Sequence, residues 1–267
     1  MRPLIDADVL RYEIGSIGDI DGPKSFDFIA AILDGRIQDI CKAAGGTVAP
    51  TLYLTGKGNF RDAVAVTKPY KGNRLDKDGN PKQAKPFHFE NITVYMHNQY
   101  DVEVAEGMEA DDLMSIEQMA CPANTVICTR DKDLRMIPGH HYGWECGAQR
   151  EFGPMIVTQR GNLSIDRKKK SPKLTGTGMM FFWAQMLIGD TADNIPGCPG
   201  IGDVKAWDIL MNEADPRSMW ERVRDTYYSK KRDDDMILEQ GQLLWMVREL
   251  HEDGSPVMWE LPDGDES

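Results

Sequence analysis

Three short clusters of carboxylates fall between residues 109 and 193, each at the end of an apolar run: Glu109-Ala-Asp111-Asp112, Asp131-Lys-Asp133-Leu and Gly189-Asp190-Thr-Ala-Asp193-Asn194. On a helix Glu109 and Asp112 share a face, as do Asp190 and Asp193, while Asp131 and Asp133 share a face if extended. Each pair can converge on one point. Carboxylates gathered there repel and raise one another's proton affinity, so such a site calls for cations. Oxygen-only ligation favours magnesium or manganese. Taken alone, Glu109, Asp111 and Asp112 in a first helical turn would simply serve the helix dipole.

Cationic and glycine-rich segments supply the complementary chemistry. Tyr70-Lys71-Gly-Asn-Arg74 offers a ring to stack on a base and two cations to grip phosphates, or an ordinary solvated loop. Asn194-Ile-Pro-Gly197-Cys-Pro-Gly200-Ile-Gly202-Asp-Val-Lys205-Ala206 makes a tight hairpin between two helices. It can present backbone amides and a helix N-terminus to a phosphate, with Lys205 one turn in. Thr55-Gly-Lys-Gly-Asn-Phe-Arg61 lacks the full phosphate-loop pattern and is not read as one. His88, His97 and the pair His140-His141 have no spaced metal partners and read as packing or surface residues.

These residues sit in a chain of 267, enough for one large domain or two small ones with a real core. No apolar run nears the ~20 residues that span a bilayer, so no membrane partner is expected, and a cytoplasmic setting is. The five cysteines are scattered and without Cys-x-x-Cys spacing, which excludes a zinc site and a disulfide framework as sequence readings. The net charge of −12 would repel nucleic acid if it were spread evenly, but it is not. Residues 233–267 carry eleven acids against one arginine, so this acidic stretch accounts for −10. Residues 55–90 hold eight Lys/Arg against four acids, and 158–178 hold six against one. Those two stretches are the candidate phosphate-facing surfaces, the second with solvated loop as an equal reading.

The elements that must position these groups follow from periodicity. Leu4-Ile5-Asp6 reads as a strand end; if that strand continues, Asp6 and Asp8 face the same way. A packing helix over 25–44 precedes a strand over 48–54, and a polar stretch runs from 69 to about 86. The mixed run 87–104 resists assignment. An amphipathic helix over 108–119 is followed by strands over 125–129 and 137–144, so that Asp131 and Asp133 lie beyond a strand's carboxyl end, where open α/β sheets place ligands. A hairpin around Gly161-Asn162, a helix over 181–188, the glycine hairpin with its second helix, a helical run over 236–250 and a loose acidic end complete the chain.

In this order the acid clusters, the Tyr70–Arg74 segment and the glycine hairpin resemble the phage and bacterial 5′ nucleases, the flap endonuclease family. Glu-Ala-Asp-Asp at 109–112, Thr-x-Asp-x-Asp-Leu at 129–134 and Gly-Asp-x-x-Asp-Asn-x-Pro-Gly-x-x-Gly-Ile-Gly at 189–202 carry the resemblance, which covers about residues 1–212. It implies a PIN-like α/β fold, with a central mainly parallel sheet flanked by helices and a helix-three-turn-helix (helix-hairpin-helix type) module. The nuclease core would span 1–178 with an arch or loop at about 71–104, the DNA-binding module 179–230, and an acidic C-terminal helix and tail 231–267. The implied activity is that of a 5′–3′ exonuclease or flap endonuclease acting on DNA in replication, recombination or repair, as a monomer, in the host cytoplasm if phage-encoded. Two magnesium or manganese ions about 4 Å apart would hold the scissile phosphate. By position, Asp6, Glu109, Asp111 and Asp112 become direct ligands or outer acids of one metal. Asp131 bridges or lies near both, and Asp133, Asp190 and Asp193 hold the second. Lys71 would stabilise the attacked phosphate and Arg74 grip the strand. Gly197, Gly200 and Gly202, with a potassium ion as candidate ligand, and Lys205 would hold the duplex.

One position departs from the family pattern. The aspartate usual after the second strand is missing at Thr55-Gly56-Lys57, which would weaken the first metal site unless Asp8 compensates. Two rivals follow: a related primer-removing ribonuclease acting on RNA/DNA hybrids, and a catalytically weakened DNA-structure-binding protein.

Overall fold

The computed structural model describes residues 1–18, 20–168, 170–211 and 215–262. Lys169 of the basic run and the last acids, 263–267, lie outside the described residues. By contact the chain divides into two compact units, one formed by residues 1–59, 83–134 and 139–156, the other by 60–82, 135–138 and 157–267. The β-hairpin that follows the sheet therefore goes with the second unit, and so does the Tyr70–Arg74 segment.

The first unit is an α/β sheet in the order β3-β2-β1-β4-β5-β6, formed by β1 (Arg2–Asp6), β2 (Thr51–Thr55), β3 (Asp101–Ala105), β4 (Thr125–Cys128), β5 (Gly139–Gly143) and β6 (Phe152–Val157). The pairs β1–β2, β2–β3, β1–β4 and β4–β5 are all parallel. Strands β1, β2 and β4 are buried nearly throughout, as expected of apolar runs covered on both faces. Helix α2 (Phe26–Ala43) turns Ile29, Leu33, Ile37 and Ile40 into the core, following the predicted period. Helix α5 (Ala110–Ala120) matches the helix expected over 108–119.

Two segments of the first unit differ from expectation. The first strand does not continue to Asp8: Asp6 caps α1 (Ala7–Gly15), its carboxylate accepting from the Val9 amide at 3.2 Å. Asp8 therefore stands in a first helical turn, and the shared strand face does not exist. The cap wins because a carboxylate there satisfies an amide that would otherwise lack a partner. The unassigned run 87–104 becomes α4 (Phe89–Gln99) and β3, with Ile92 and Met96 fully buried. The irregular part of the expected arch is thus confined to residues before Phe89.

The second unit is built on α6 (Gly178–Ile188), which is apolar all round and buried along nearly its whole length. Around it pack α7 (Asp203–Leu210), α8 (Pro216–Ser229) and α9 (Asp234–Leu244). The hairpin expected around Gly161 forms one step later, between β7 (Asn162–Asp166) and β8 (Lys173–Thr177). Gly161 instead lies so close to the backbone of Thr177 that a Cβ there would stand 1.8 Å from its carbonyl oxygen. Its φ of 71° suits glycine as well. The helical run expected over 236–250 stops at Leu244, and the stretch after it, expected to be loose, packs on the unit: Trp259 is buried against Phe182, Trp183 and Trp220. Among the described residues no helix is long and apolar enough to cross a membrane.

Candidate metal centre and nucleic-acid contacts

The strand order reverses between β1 and β4, and the crevice beyond the carboxyl ends of two such strands is where α/β sheets bind ligands. Asp6 ends β1 there, and Thr129, Asp131 and Asp133 follow β4. The Thr129 hydroxyl donates to Asp6 Oδ2 at 2.8 Å and accepts from the Asp131 amide at 2.9 Å. Asp131 Oδ1 in turn accepts from the Asp133 amide at 2.8 Å. Burial and the neighbouring carboxylates of Asp8 and Asp131 push the Asp6 carboxyl up to about 7, against the opposing hydrogen bonds from Thr129 and Val9. Both of those lowering influences are neutral groups.

The other acids of this unit arrive on two helices. Asp8, in the first turn of α1, pairs with Arg11 and accepts from the Thr55 amide at 3.1 Å. Thr55 Oγ1 accepts from the Ala110 amide at 3.0 Å, which fixes the start of α5 against the end of β2. Glu109 and Asp112 form a reciprocal capping box at the head of α5, and Asp111 is half-buried in the same turn. The plain helix-cap role is thus present for that pair. Asp133 pairs with Lys132 at 2.6 Å.

In the second unit, Asp190 is buried and closes its own turn by accepting from the Ala192 amide at 2.7 Å. Asp193 is held by the basic segment. Tyr70 donates to its Oδ2 at 3.1 Å, Arg74 to its Oδ1 at 2.6 Å, and Lys71 Nζ stands 4.0 Å from the same oxygen. Lys71 also lies over the Tyr70 ring at 5.0 Å. The Lys71 amide donates to Asp193 O, and Asn194 Nδ2 to Pro69 O, both at 2.9 Å. In the glycine hairpin Gly197 and Gly200 take positive φ, while Gly202 caps α7. Gly189 and Gly197 approach so closely that a Cβ on either would lie 2.3 Å from backbone of the opposing turn. Lys205, exposed at the surface, donates to Gly200 O at 2.8 Å and braces the hairpin.

Sequence reasoning passed over two groups here. Thr129 links Asp6 to Asp131; its signal was its place immediately ahead of Arg130-Asp131. Glu106 accepts from the Lys57 amide at 3.1 Å, and a Cβ on Gly56 would lie 2.6 Å from both Ala105 O and Glu106 Oε1. The backbone of β3's end therefore leaves no room for an aspartate at 56, and a glutamate carboxylate stands beside that position instead.

The donor set at the β1/β4 edge is oxygen alone, and a carboxyl raised first by burial and then by the charges of Asp8 and Asp131 suits a hard divalent cation. The fit lies in this chemistry: as placed, no three His, Cys, Asp or Glu side chains among the described residues form a group able to hold a metal ion.

No protein-family model matches the chain. The chain is 25% identical over 149 residues to DNA polymerase I of Rhizobium leguminosarum, a stretch covering 54% of this chain and 13% of that one. It is 28% identical over 156 residues to DNA polymerase I of Pseudomonas aeruginosa, covering 57% and 15%. The chain thus spans only a small part of the curated relatives it matches. The flap endonuclease of bacteriophage T5, solved as a pseudo-enzyme–product complex with DNA and metal ions, superposes with a TM-score of 0.60 at 15% identity, over 91% of this chain and 88% of that one. The chain has the flap endonuclease fold. The resemblance drawn from the motifs and the α/β architecture expected from it both stand on that match.

Proposed function

We propose that the chain is a divalent-metal-dependent 5′ nuclease that hydrolyses DNA phosphodiesters at flaps or 5′ ends, selecting structure with little regard for sequence. The observation that carries it is the Thr129 hydroxyl linking the buried Asp6 carboxylate to Asp131 at the reversal of strand order, with burial and the charges of Asp8 and Asp131 raising the Asp6 carboxyl to about 7. The T5 flap endonuclease, a solved structure of this fold, was obtained with DNA and metal ions.

In this reading Asp6, Asp131, Glu109, Asp111, Asp112 and Asp133 of the first unit serve one ion, with Asp8 and Glu106 as added acids. Asp190 and Asp193 of the second unit supply carboxylates for another. Bound magnesium or manganese would activate a water and steady the leaving oxygen. The protein's own groups do the positioning. Thr129 orients the Asp6 carboxylate. Lys71 supplies a fixed cation for the attacked phosphate, and Arg74, now on Asp193, a cation for the strand. The exposed backbone at Gly200 and Gly202 would face the sugar-phosphate backbone, with Gly197, whose amide is taken by Gln240, fixing the turn and Lys205 bracing it; such contacts carry no base information.

A cleavage assay on 5′-flap and blunt duplex DNA, with and without magnesium, tests this. Product that needs the ion and vanishes in Asp131→Asn supports it, and product that survives that substitution overturns the assignment of the metal centre. A second reading, binding without cleavage, is motivated by Gly56, which stands where the resembled family usually has an aspartate and where a Cβ would lie 2.6 Å from Ala105 O. Metal-independent DNA binding with no product at any magnesium or manganese concentration would establish it. Labelled RNA/DNA hybrid beside DNA flap separates primer removal from flap cleavage.

A further inference from the structure

Helix α9 contains none of the proposed site residues, yet consecutive side chains on it hold the glycine hairpin and the stretch just ahead of the Tyr70–Arg74 segment. Glu239, 9% exposed, accepts through Oε1 from the Val66 and Thr67 amides at 2.7 and 2.6 Å, and through Oε2 from the Thr67 hydroxyl at 2.5 Å. Gln240, fully buried, accepts from the Gly197 amide at 2.9 Å. Neighbours on a helix point about 100° apart, so one rigid rod reaches in two directions. A third anchor runs the opposite way. Arg61, fully buried in the short helix α3 (Phe60–Val64), donates to Leu243 O at 3.1 Å and to Trp245 O at 2.7 Å, just past the end of α9. Its guanidinium lies 4.5 Å from the centroid of the Phe60 ring.

The segment 61–67 is therefore pinned at both ends, and only three residues separate Thr67 from Lys71. Burying a carboxylate and a guanidinium costs more than filling the same space with apolar side chains; what such groups return is direction. We propose that Glu239, Gln240 and Arg61 are positioning residues: α9 sets the Pro69–Arg74 loop and the glycine hairpin in one frame, making the acidic C-terminal stretch part of the cleaving machinery. The proposal deepens the nuclease reading and rests on it.

The test uses the full chain with magnesium and a 5′-flap duplex, read by steady-state cleavage and by amide hydrogen exchange across residues 60–74 and 194–202. Glu239→Ala should speed exchange at Val66 and Thr67 by about tenfold or more. It should also lower kcat by about thirtyfold, with KM moving less than about threefold, because a displacement near 1 Å suffices for such losses. Glu239→Gln keeps an oxygen for the two amides and an NH2 for the Thr67 hydroxyl oxygen, and should restore both readouts. Where Glu239→Ala fails to fold, Thr67→Val, which removes the hydroxyl's bonds to Glu239 and to Met236 Sδ but leaves both amide bonds, carries the same two readouts with smaller changes. Faster exchange with unchanged kcat, or a Glu239→Gln as slow as Glu239→Ala, overturns the proposal. Unchanged exchange in an active enzyme sinks the clamp alone, whereas a wild-type chain that cuts nothing removes the nuclease reading and the positioning role with it.

Discussion

The hydroxyl of Thr129 stands between two carboxylate-bearing residues, donating to Asp6 Oδ2 at 2.8 Å while accepting from the Asp131 amide at 2.9 Å. Both Thr129 and Asp6 are buried, so neither bond is replaced by water if the hydroxyl is removed. Thr129→Val keeps the shape and should cost about 1.5–3 kcal/mol at a pH well above 7, where the Asp6 carboxyl is ionised, the range for a hydrogen bond to a charged group. Urea unfolding measures it. The cost should shrink in an Asp6→Asn background, where the acceptor no longer carries charge.

The raised Asp6 carboxyl makes stability fall with pH. Its folded-state value, about 7, lies above the ordinary aspartate value of 3.8, so between those limits the folded chain holds a proton that the unfolded chain has released. The stabilising contribution is complete below about 4 and is lost as pH rises through about 7. In chelator, Asp6→Asn should therefore raise Tm by several degrees at pH 8 and leave it nearly unchanged at pH 4. Thermal melts at both values decide this, and a larger gain at pH 4 would contradict it.

A divalent ion at the same edge competes with that proton. Magnesium should raise Tm at pH 8, by about 2.7 kcal/mol of stability at a hundredfold excess over its Kd, and much less at pH 5. The stabilisation should be largely lost in Asp131→Asn. An equal magnesium effect in wild type and variant, followed by calorimetry, would place the ion elsewhere.

Gly241 of α9 faces the Trp259 ring so closely that a Cβ would stand 2.0 Å from it. Ring and helix cannot both stay in place around an alanine. Gly241→Ala should cost about 1–3 kcal/mol through overpacking, with a red shift of tryptophan emission as Trp259 moves toward water. Unaltered emission and stability would show that the segment after α9 packs differently.

Much of this was written in local pattern. The apolar periods of α2 and α5 and the apolar runs of β1, β2 and β4 need only their own residues to be recognised, because burial on one face or two leaves a short-range signature. The acid clusters at 109–112, 131–133 and 190–193 and the glycine hairpin were legible for the same reason. Helix α1 was not, since Asp6 serves equally as the last residue of a strand and the cap of a helix, and only the Val9 amide beside it settles which. The run 87–104 divided into α4 and β3 through packing of Ile92 and Met96 in the core, which its mixed composition does not announce. What the tertiary structure alone decided are relations between residues far apart in the chain. These are the approach of Asp6 to Thr129, 123 positions on, the backbone that excludes a side chain at Gly56, and the hold of Glu239 on Thr67. Sequence determines such relations only through the folded whole, because a parallel sheet brings strand ends together by way of long crossovers and no local pattern records which ends will meet.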